Sequence, residues 1–409
     1  MKLILFTDFT PTIDNYRGPS SLCFYLFKAL KDRGNTIYVI STNANKVNSA
    51  MIKRSEDLMG VKYHICERNL INKILISRKT GWLLTPIMGN RYGYLSRYYL
   101  TRKIKKEITA FNPDLICIYP SYLVNVCKQL HKYKTLVIGP DCSPLRNLRT
   151  LKDATTYKDG VEKNVLKELK RNIEMDKMLA KCVDGLALVG KKDTETFNAI
   201  SRSHKAFFLP HPHYSIYDKE INFNHEKLSV VITGAYDNAT RSDVDKMVEV
   251  ILEGSKNLDN YKFTFIGKGW DEITKRIGGL VNVEHKTWVD VYGEELIKHD
   301  IQIVPISLGV GTKGKSLDAM SNGLLCIGSH CALENIAGEN MKDFVQYNNA
   351  EDIVDILTDI DEHRDKYEKI ATQGRESVLK FHNSSIGATL VENFVHGRSF
   401  HVNSNIYND

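Results

Sequence analysis

Long apolar runs are missing from this 409-residue sequence. The opening MKLILF is followed at once by Asp8, so it reads as a first buried strand rather than a signal peptide. No later stretch approaches the roughly 20 apolar residues that a bilayer-crossing helix needs. Paired cysteine motifs are missing too. Eight cysteines are scattered without a Cys-x-x-Cys, and Cys117 and Cys326 sit inside strand-like apolar runs. That pattern points to buried free thiols in a reducing cytoplasm rather than to a zinc site or a disulfide framework. Acidic residues are absent from Arg68 to Lys106, where ten Lys and Arg more than account for the net charge of +7. No recognisable nucleic-acid module accompanies that charge, so nucleic acid is not the expected partner.

The basic stretch, Arg68, Lys73, Arg78, Lys79, Arg91, Arg97, Arg102, Lys103, Lys105 and Lys106, is interleaved with Trp82, Tyr92, Tyr94, Tyr98 and Tyr99 and with the apolar LINKILI. Cations mixed with interfacial aromatics suit an anionic membrane surface. A solvated helical face is the competing reading.

Length alone implies two domains. Leu3 to Phe6, Ile37 to Ile40, Leu115 to Ile118, Thr135 to Ile138, Gly185 to Val189 and Ala206 to Leu209 read as strands, separated by helical patterns such as Ser21 to Arg33 and Val161 to Lys181. Short apolar runs alternating with longer amphipathic ones predict a parallel sheet covered by helices on both faces. Pro210 to Glu226 breaks the rhythm as a linker. A second series then follows, with strands Ser229 to Thr233, Tyr261 to Ile266, Val281 to Glu284, Ile301 to Val304 and Leu324 to Ile327. The expected architecture is two doubly wound α/β domains, residues 1–212 and 213–382, facing a cleft, with a helix in 383–409 packing back toward the first domain. Ligands of such sheets bind at the carboxyl ends of the strands.

Gly309 to Gly323, GVGTKGKSLDAMSNG, is the densest chemical signal. A buried strand runs into a turn where Gly309 and Gly311 allow close backbone approach. Thr312 is placed to cap the following helix, whose free amides favour an anion, and Lys313 and Lys315 add charge. A diphosphate fits. Gly309, Gly314, Lys315 and Ser316 also satisfy the P-loop pattern. A P-loop opens its domain, however, and is followed by several parallel strands, one ending in a magnesium-positioning aspartate. Here only Leu324 to Gly328 and Phe344 to Tyr347 follow, and neither ends in an aspartate.

The order and spacing of SVVIT with GAYDNATRSDVDKMVEVI, of YKFTFIGKGW, of VEHKTWVDVYGEEL and of HDIQIVPISLGVGTKGKSLDAMSNGLLCIGS resemble the donor domain of the glycosyltransferase B fold, family 4-like (group 1) glycosyltransferases. The resemblance implies an acceptor-binding first domain and a second domain that binds a nucleoside diphosphate sugar. It implies that Gly311, Thr312 and Lys315 hold the diphosphate with Lys313 assisting, that Asp318 meets the ribose where the family has a glutamate, and that Thr287, Trp288 and Val289 border the base. Gly234 would face the phosphates. Arg241 is a candidate second cation or a surface arginine. Val310 stands where many members carry a glutamate that touches the donor sugar.

In the first domain Gly18 lies where the family's first loop nears the donor phosphates, with a tight turn before a helix as the alternative. Asp141 is a candidate base on the acceptor, or an Asx turn before Pro144. His211 and His213 read as hinge residues rather than metal ligands. The resemblance thus implies a retaining transferase, hexosyltransferase-like, that needs no metal or other cofactor and uses UDP or GDP as carrier. A saccharide or lipid-linked acceptor is expected, in cell-surface polysaccharide or glycolipid assembly, with the protein cytoplasmic or peripheral at the inner face of the membrane. A non-catalytic homologue that binds a nucleotide or a partner transferase is the alternative.

Overall fold

The computed structural model describes residues 1–13, 18–66, 68–77, 80, 83–84, 94–139, 141–152, 161–237, 239–254, 258–398 and 402–409. Arg78, Lys79, Trp82, Arg91 and Tyr92 of the basic stretch lie outside the described residues. The chain forms two compact units: Met1–Pro212 with Ser384–Val402, and His213–Asn383 with Asn403–Asp409.

The first unit is built on seven strands: β1 (Lys2–Thr7), β2 (Thr36–Ser41), β3 (Tyr63–Ile65), β4 (Leu115–Tyr119), β5 (Thr135–Gly139), β6 (Gly185–Leu188) and β7 (Ala206–Phe208). All pair in parallel, in the order β3-β2-β1-β4-β5-β6-β7. Parallel strands need crossovers, and helices supply them on both faces. Period-2 alternation divides the apolar residues between those faces. Ile4, Phe6, Ile116 and Ile118 pack on one side, and Leu3, Leu5, Leu115 and Cys117 on the other.

The second unit repeats the plan with β8 (Leu228–Thr233), β9 (Tyr261–Ile266), β10 (Asn282–Lys286), β11 (Ile301–Val304), β12 (Leu325–Ser329) and β13 (Val345–Tyr347), again all parallel, in the order β10-β9-β8-β11-β12-β13. Val230, Ile232, Phe263, Phe265, Ile301 and Ile303 face one helical layer with Trp270. Val231, Val304 and Cys326 face Leu317, Met320 and Val378 on the other.

Both sheets change direction between their first and fourth strands, β1/β4 and β8/β11. There the crossovers leave to opposite faces and open a crevice beyond the strand ends. The expected strands are all present, with limits shifted by one or two residues. β3 was not expected: in Tyr63–Ile65 only Tyr63 is buried and His64 interrupts the apolar run that marks the other strands. The helix expected from Ser21 runs Gly18–Asp32, so Gly18 and Pro19 form its first turn rather than a preceding loop. Proline suits that turn because its missing N–H would be unpaired there anyway.

The segment expected as one tail, 383–409, is divided. The helix Ser384–His396 belongs to the first unit, where Glu392 binds Arg33 (Nη2 to Oε2, 2.7 Å) and accepts from Asn35. Residues 403–409 belong to the second, where Tyr407 makes an antiparallel bridge with Ala337 and donates its hydroxyl to the Phe381 carbonyl. All eight cysteines are free; Cys182 and Cys331 are half-buried and the other six are buried. Among the described residues no helix is long and apolar enough to cross a membrane.

Candidate functional site

The crevice of the second sheet opens where β8 and β11 end. Gly234, directly after β8, has φ +103°, and a Cβ there would lie 2.1 Å from the Lys315 ammonium nitrogen. Gly267, directly after β9, has φ +132°, and its Cβ would fall 2.2 Å from the Gly234 carbonyl oxygen. Both conformations belong to glycine, and both positions lack room for a side chain. The Trp270 indole donates to the same Gly234 oxygen at 2.8 Å. Two strand-to-helix turns are therefore pressed together, and a lysine is threaded over them.

That lysine comes from the helix Gly314–Ser321. Lys315 Nζ donates to the Thr233 carbonyl at 2.6 Å. Burial lowers its pKa, and the opposing pull of Asp237 is the smaller effect. Lys313 folds its ammonium onto the Gly311 and Val310 carbonyls, at 2.7 and 3.1 Å. Thr312 is not the helix cap. Lys313 holds the N-cap position, with no side-chain cap bond, and Thr312 is buried in the turn before it. The helix start therefore presents its amides without a capping oxygen from its own N-cap side chain. Gly311, with φ +66°, makes the turn.

Ser316 is fully buried and donates to the Ala332 carbonyl at 2.7 Å. In a P-loop this hydroxyl holds magnesium; here it fastens the helix to its neighbour. The loop also follows the fourth strand of its sheet, with only β12 and β13 after it. The NTPase reading fails on both counts.

Asp318, one turn further along the helix, is 6% exposed. Its carboxylate has no hydrogen bond among the described residues, and burial pushes its pKa up to about 7. The Tyr292 hydroxyl lies within its field, its own pKa raised first by burial and then by Asp318. Tyr292 also contacts Thr233 Oγ1 at 3.2 Å, and Gln302 donates to that oxygen at 3.0 Å. Thr233, Tyr292 and Gln302 were not singled out in the sequence. Gln302 carried a signal, as the one polar residue in the buried strand IQIV.

The remaining predicted residues of this unit lie in the segments that follow β8, β10 and β11. Thr287 and Trp288 are exposed just past β10, Trp288 at 73%, so the indole is not used in packing; Val289 packs against the cluster that contains Leu296 and Leu317. Arg241 opens the helix Arg241–Leu252 with its guanidinium 5.0 Å from the centre of the Tyr236 ring. Val310 is buried, 9% exposed.

Gly18 and Asp141 belong to the first unit. Asp141 follows β5 and lies 3.6 Å from an Arg146 nitrogen. Sequence reasoning missed a buried carboxylate at the end of β1. Asp8 accepts from Arg68 at 2.6 Å, from the Tyr122 hydroxyl at 2.5 Å and from Thr42. The buried His211 contacts the Pro212 carbonyl at 2.9 Å, and burial lowers its pKa to about 4. His213 contacts the Tyr214 carbonyl at 2.9 Å. Among the described residues the one group with metal-ligand spacing is Asp359, Glu362 and His363, which includes neither histidine.

The seven-stranded and the six-stranded parallel sheets, each covered by helices on both faces, give the chain a fold of the GT-B type. Residues 227–361 match the family described as "Glycosyl transferases group 1". Across the whole chain the fold resembles that of Anabaena Alr3699/HepE, solved with UDP and glucose (TM-score 0.62, 10% identity, covering 96% of this chain and 99% of that one). It also resembles S. aureus TarM (0.66, 11%, 97% and 99%). Sucrose-phosphate synthase from Thermosynechococcus elongatus is equally similar (0.66, 12%, 97% and 99%). No curated protein sequence matches the chain.

Proposed function

We propose that the protein transfers a sugar from a nucleoside diphosphate sugar, with UDP or GDP as carrier, to a saccharide or lipid-linked acceptor taken by the first unit. The observation that carries this reading is the pairing of Lys315, held over the Gly234 turn, with the unpartnered, buried Asp318 one turn along the same helix. Lys315 exchanges its bond to the Thr233 carbonyl for the donor diphosphate, and Lys313 and the amides of the helix start add to it. Charge that develops on the departing diphosphate is met by groups already in place, so the reading calls for no metal. Asp318 accepts hydrogen bonds from the ribose hydroxyls and so gains the partner it lacks in the ligand-free protein. Thr287, Trp288 and Val289 border the base, and Asp141 serves as base on the acceptor. UDP in the Anabaena structure and UDP with a glycoside in a TarM structure support the ligand class.

Retention at the anomeric carbon, a hexosyl donor, and a place in surface polysaccharide or glycolipid assembly at the inner face of a membrane complete the proposal. Val310 supports a second reading, in which the fold binds nucleotide without turnover. A thermal-shift series with UDP and GDP on wild type and Lys315→Ala tests the site, since a ligand that binds only the native state raises its melting temperature. The shift is expected in wild type and lost in the variant; equal shifts in both overturn the role of Lys315. Labelled donors offered with an acceptor pool then decide between transfer and binding alone.

A further inference from the structure

We propose that the helix Leu70–Ile76 and the basic start of the helix Arg102–Phe111 form one docking face for an anionic lipid bilayer, the former lying in the interface and the latter reaching the headgroups. This gives the membrane part of the proposed function a definite surface and is independent of the sugar-transfer part.

The helix Leu70–Ile76 is turned the wrong way for a water-facing element. Asn72 and Ile76 are buried against the unit, while Leu70, Ile71 and Ile74 are 73%, 66% and 40% exposed. Positions i, i+1 and i+4 lie on one side of a helix, so the three aliphatic side chains form a single outward face, with Lys73 beside it. A soluble surface helix places its polar side there.

The buried Asn72 fixes what lies next to this face. Its side chain donates to the Tyr99 carbonyl at 2.9 Å and accepts from the Tyr99 amide at 3.0 Å. Tyr99 stands two residues before Thr101, which caps the second helix through the Ile104 amide. That helix then opens with Arg102, Lys103, Lys105 and Lys106, all exposed. A helix N-terminus repels cations, and none of these four is ion-paired with a described residue. The helix's one carboxylate, Glu107, points instead at His64, 2.7 Å away. Uncompensated positive charge at the unfavourable end of a helix, fixed next to an outward apolar face, matches a surface that is both negative and apolar. An anionic bilayer has both properties.

Flotation or sedimentation of the full chain with phosphatidylcholine vesicles, with and without phosphatidylglycerol, tests this. Wild type is expected to bind only the anionic vesicles, and less at high salt. The triple variant L70S/I71S/I74S should bind them at least about tenfold more weakly. The quadruple variant R102Q/K103Q/K105Q/K106Q should lose more, up to several hundredfold at roughly fivefold for each cation near the surface, together with most of the salt dependence. All seven positions are exposed, so circular dichroism should be unchanged. Equal vesicle binding by all three proteins overturns the proposal. So does concentration-dependent self-association that the triple variant abolishes without any vesicle binding, which would give the face to a second copy of the chain. Nucleotide-induced thermal shifts, measured on the same proteins without vesicles, report on the donor site separately.

Discussion

Replacing Asp318 by asparagine should change how stability depends on pH, and the size of the change follows from the burial of one carboxylate. In the unfolded chain its pKa is 3.8, and in the folded protein burial carries it to about 7. Between these values the native state binds more protons than the unfolded state, so stability falls as pH rises. Below the window Asp318 is protonated in both states and contributes nothing; above it the full penalty is present. At 1.36 kcal/mol per pH unit the ceiling is about 4 kcal/mol. Local relaxation and water entry reduce it, so we expect at least about 1 kcal/mol. Asparagine adds a pH-independent offset from its own buried amide, and the informative quantity is therefore the difference in slope. Urea denaturation reported by the buried Trp270 of the second unit, between about pH 4 and about pH 8, should show the variant gaining on wild type as pH rises. A constant difference across that window refutes the reasoning. UDP adds a second arm. Ribose hydroxyls that donate to the carboxylate favour its charged form, so UDP affinity of wild type should rise with pH up to about 7, while that of the variant stays flat.

Two further substitutions probe the scaffold. Gly234→Ala puts a methyl group where Lys315 Nζ now lies, at a φ of +103°; calorimetric titration should show UDP affinity at least about tenfold lower, with stability reduced by about 1–3 kcal/mol. Phe394→Ala removes the ring that fills the space beside Gly185, where an added Cβ would come within 2.5 Å of it. The first unit should lose about 3 kcal/mol in chemical denaturation; an unchanged midpoint would mean that the helix Ser384–His396 is not part of its core.

The fold was legible because parallel strands are buried on both faces and show as apolar runs, so the two series of β-strands and their linker stood out in the sequence. The order of β8 to β13 then places the switch point at Gly234 and at the loop after Val304, where the glycine and lysine pattern had already pointed. Long-range partners were not legible. That Lys315 rests on the Thr233 carbonyl, that Ser316 is committed to Ala332, and that Thr233, Gln302 and Tyr292 meet are consequences of register and crossover, and no local pattern encodes them. The cap assignment failed for a related reason. Thr312 has the right side chain, but the turn at Gly311 buries it, and the helix starts one residue further on, at Gly314 with Lys313 as its N-cap. Asp8 was passed over because a lone acidic residue after a strand looks like an ordinary turn, and its partners Thr42, Arg68 and Tyr122 lie 34, 60 and 114 residues further along the sequence.

The division of residues 384–409 between the two units sets the order in which this protein can be made. The helix Ser384–His396 completes the core of a unit whose main body ends at Pro212, so the first sheet waits, with Leu26, Leu209 and Gly185 uncovered, until residues 213–383 have left the ribosome. The final strand-like residues then return to the second unit. Neither half can be cut out as one continuous piece of gene: a fragment ending near residue 212 lacks a wall of its core, and one ending near 400 lacks the bridge from Tyr407 to Ala337. Expression of single domains should include these borrowed segments.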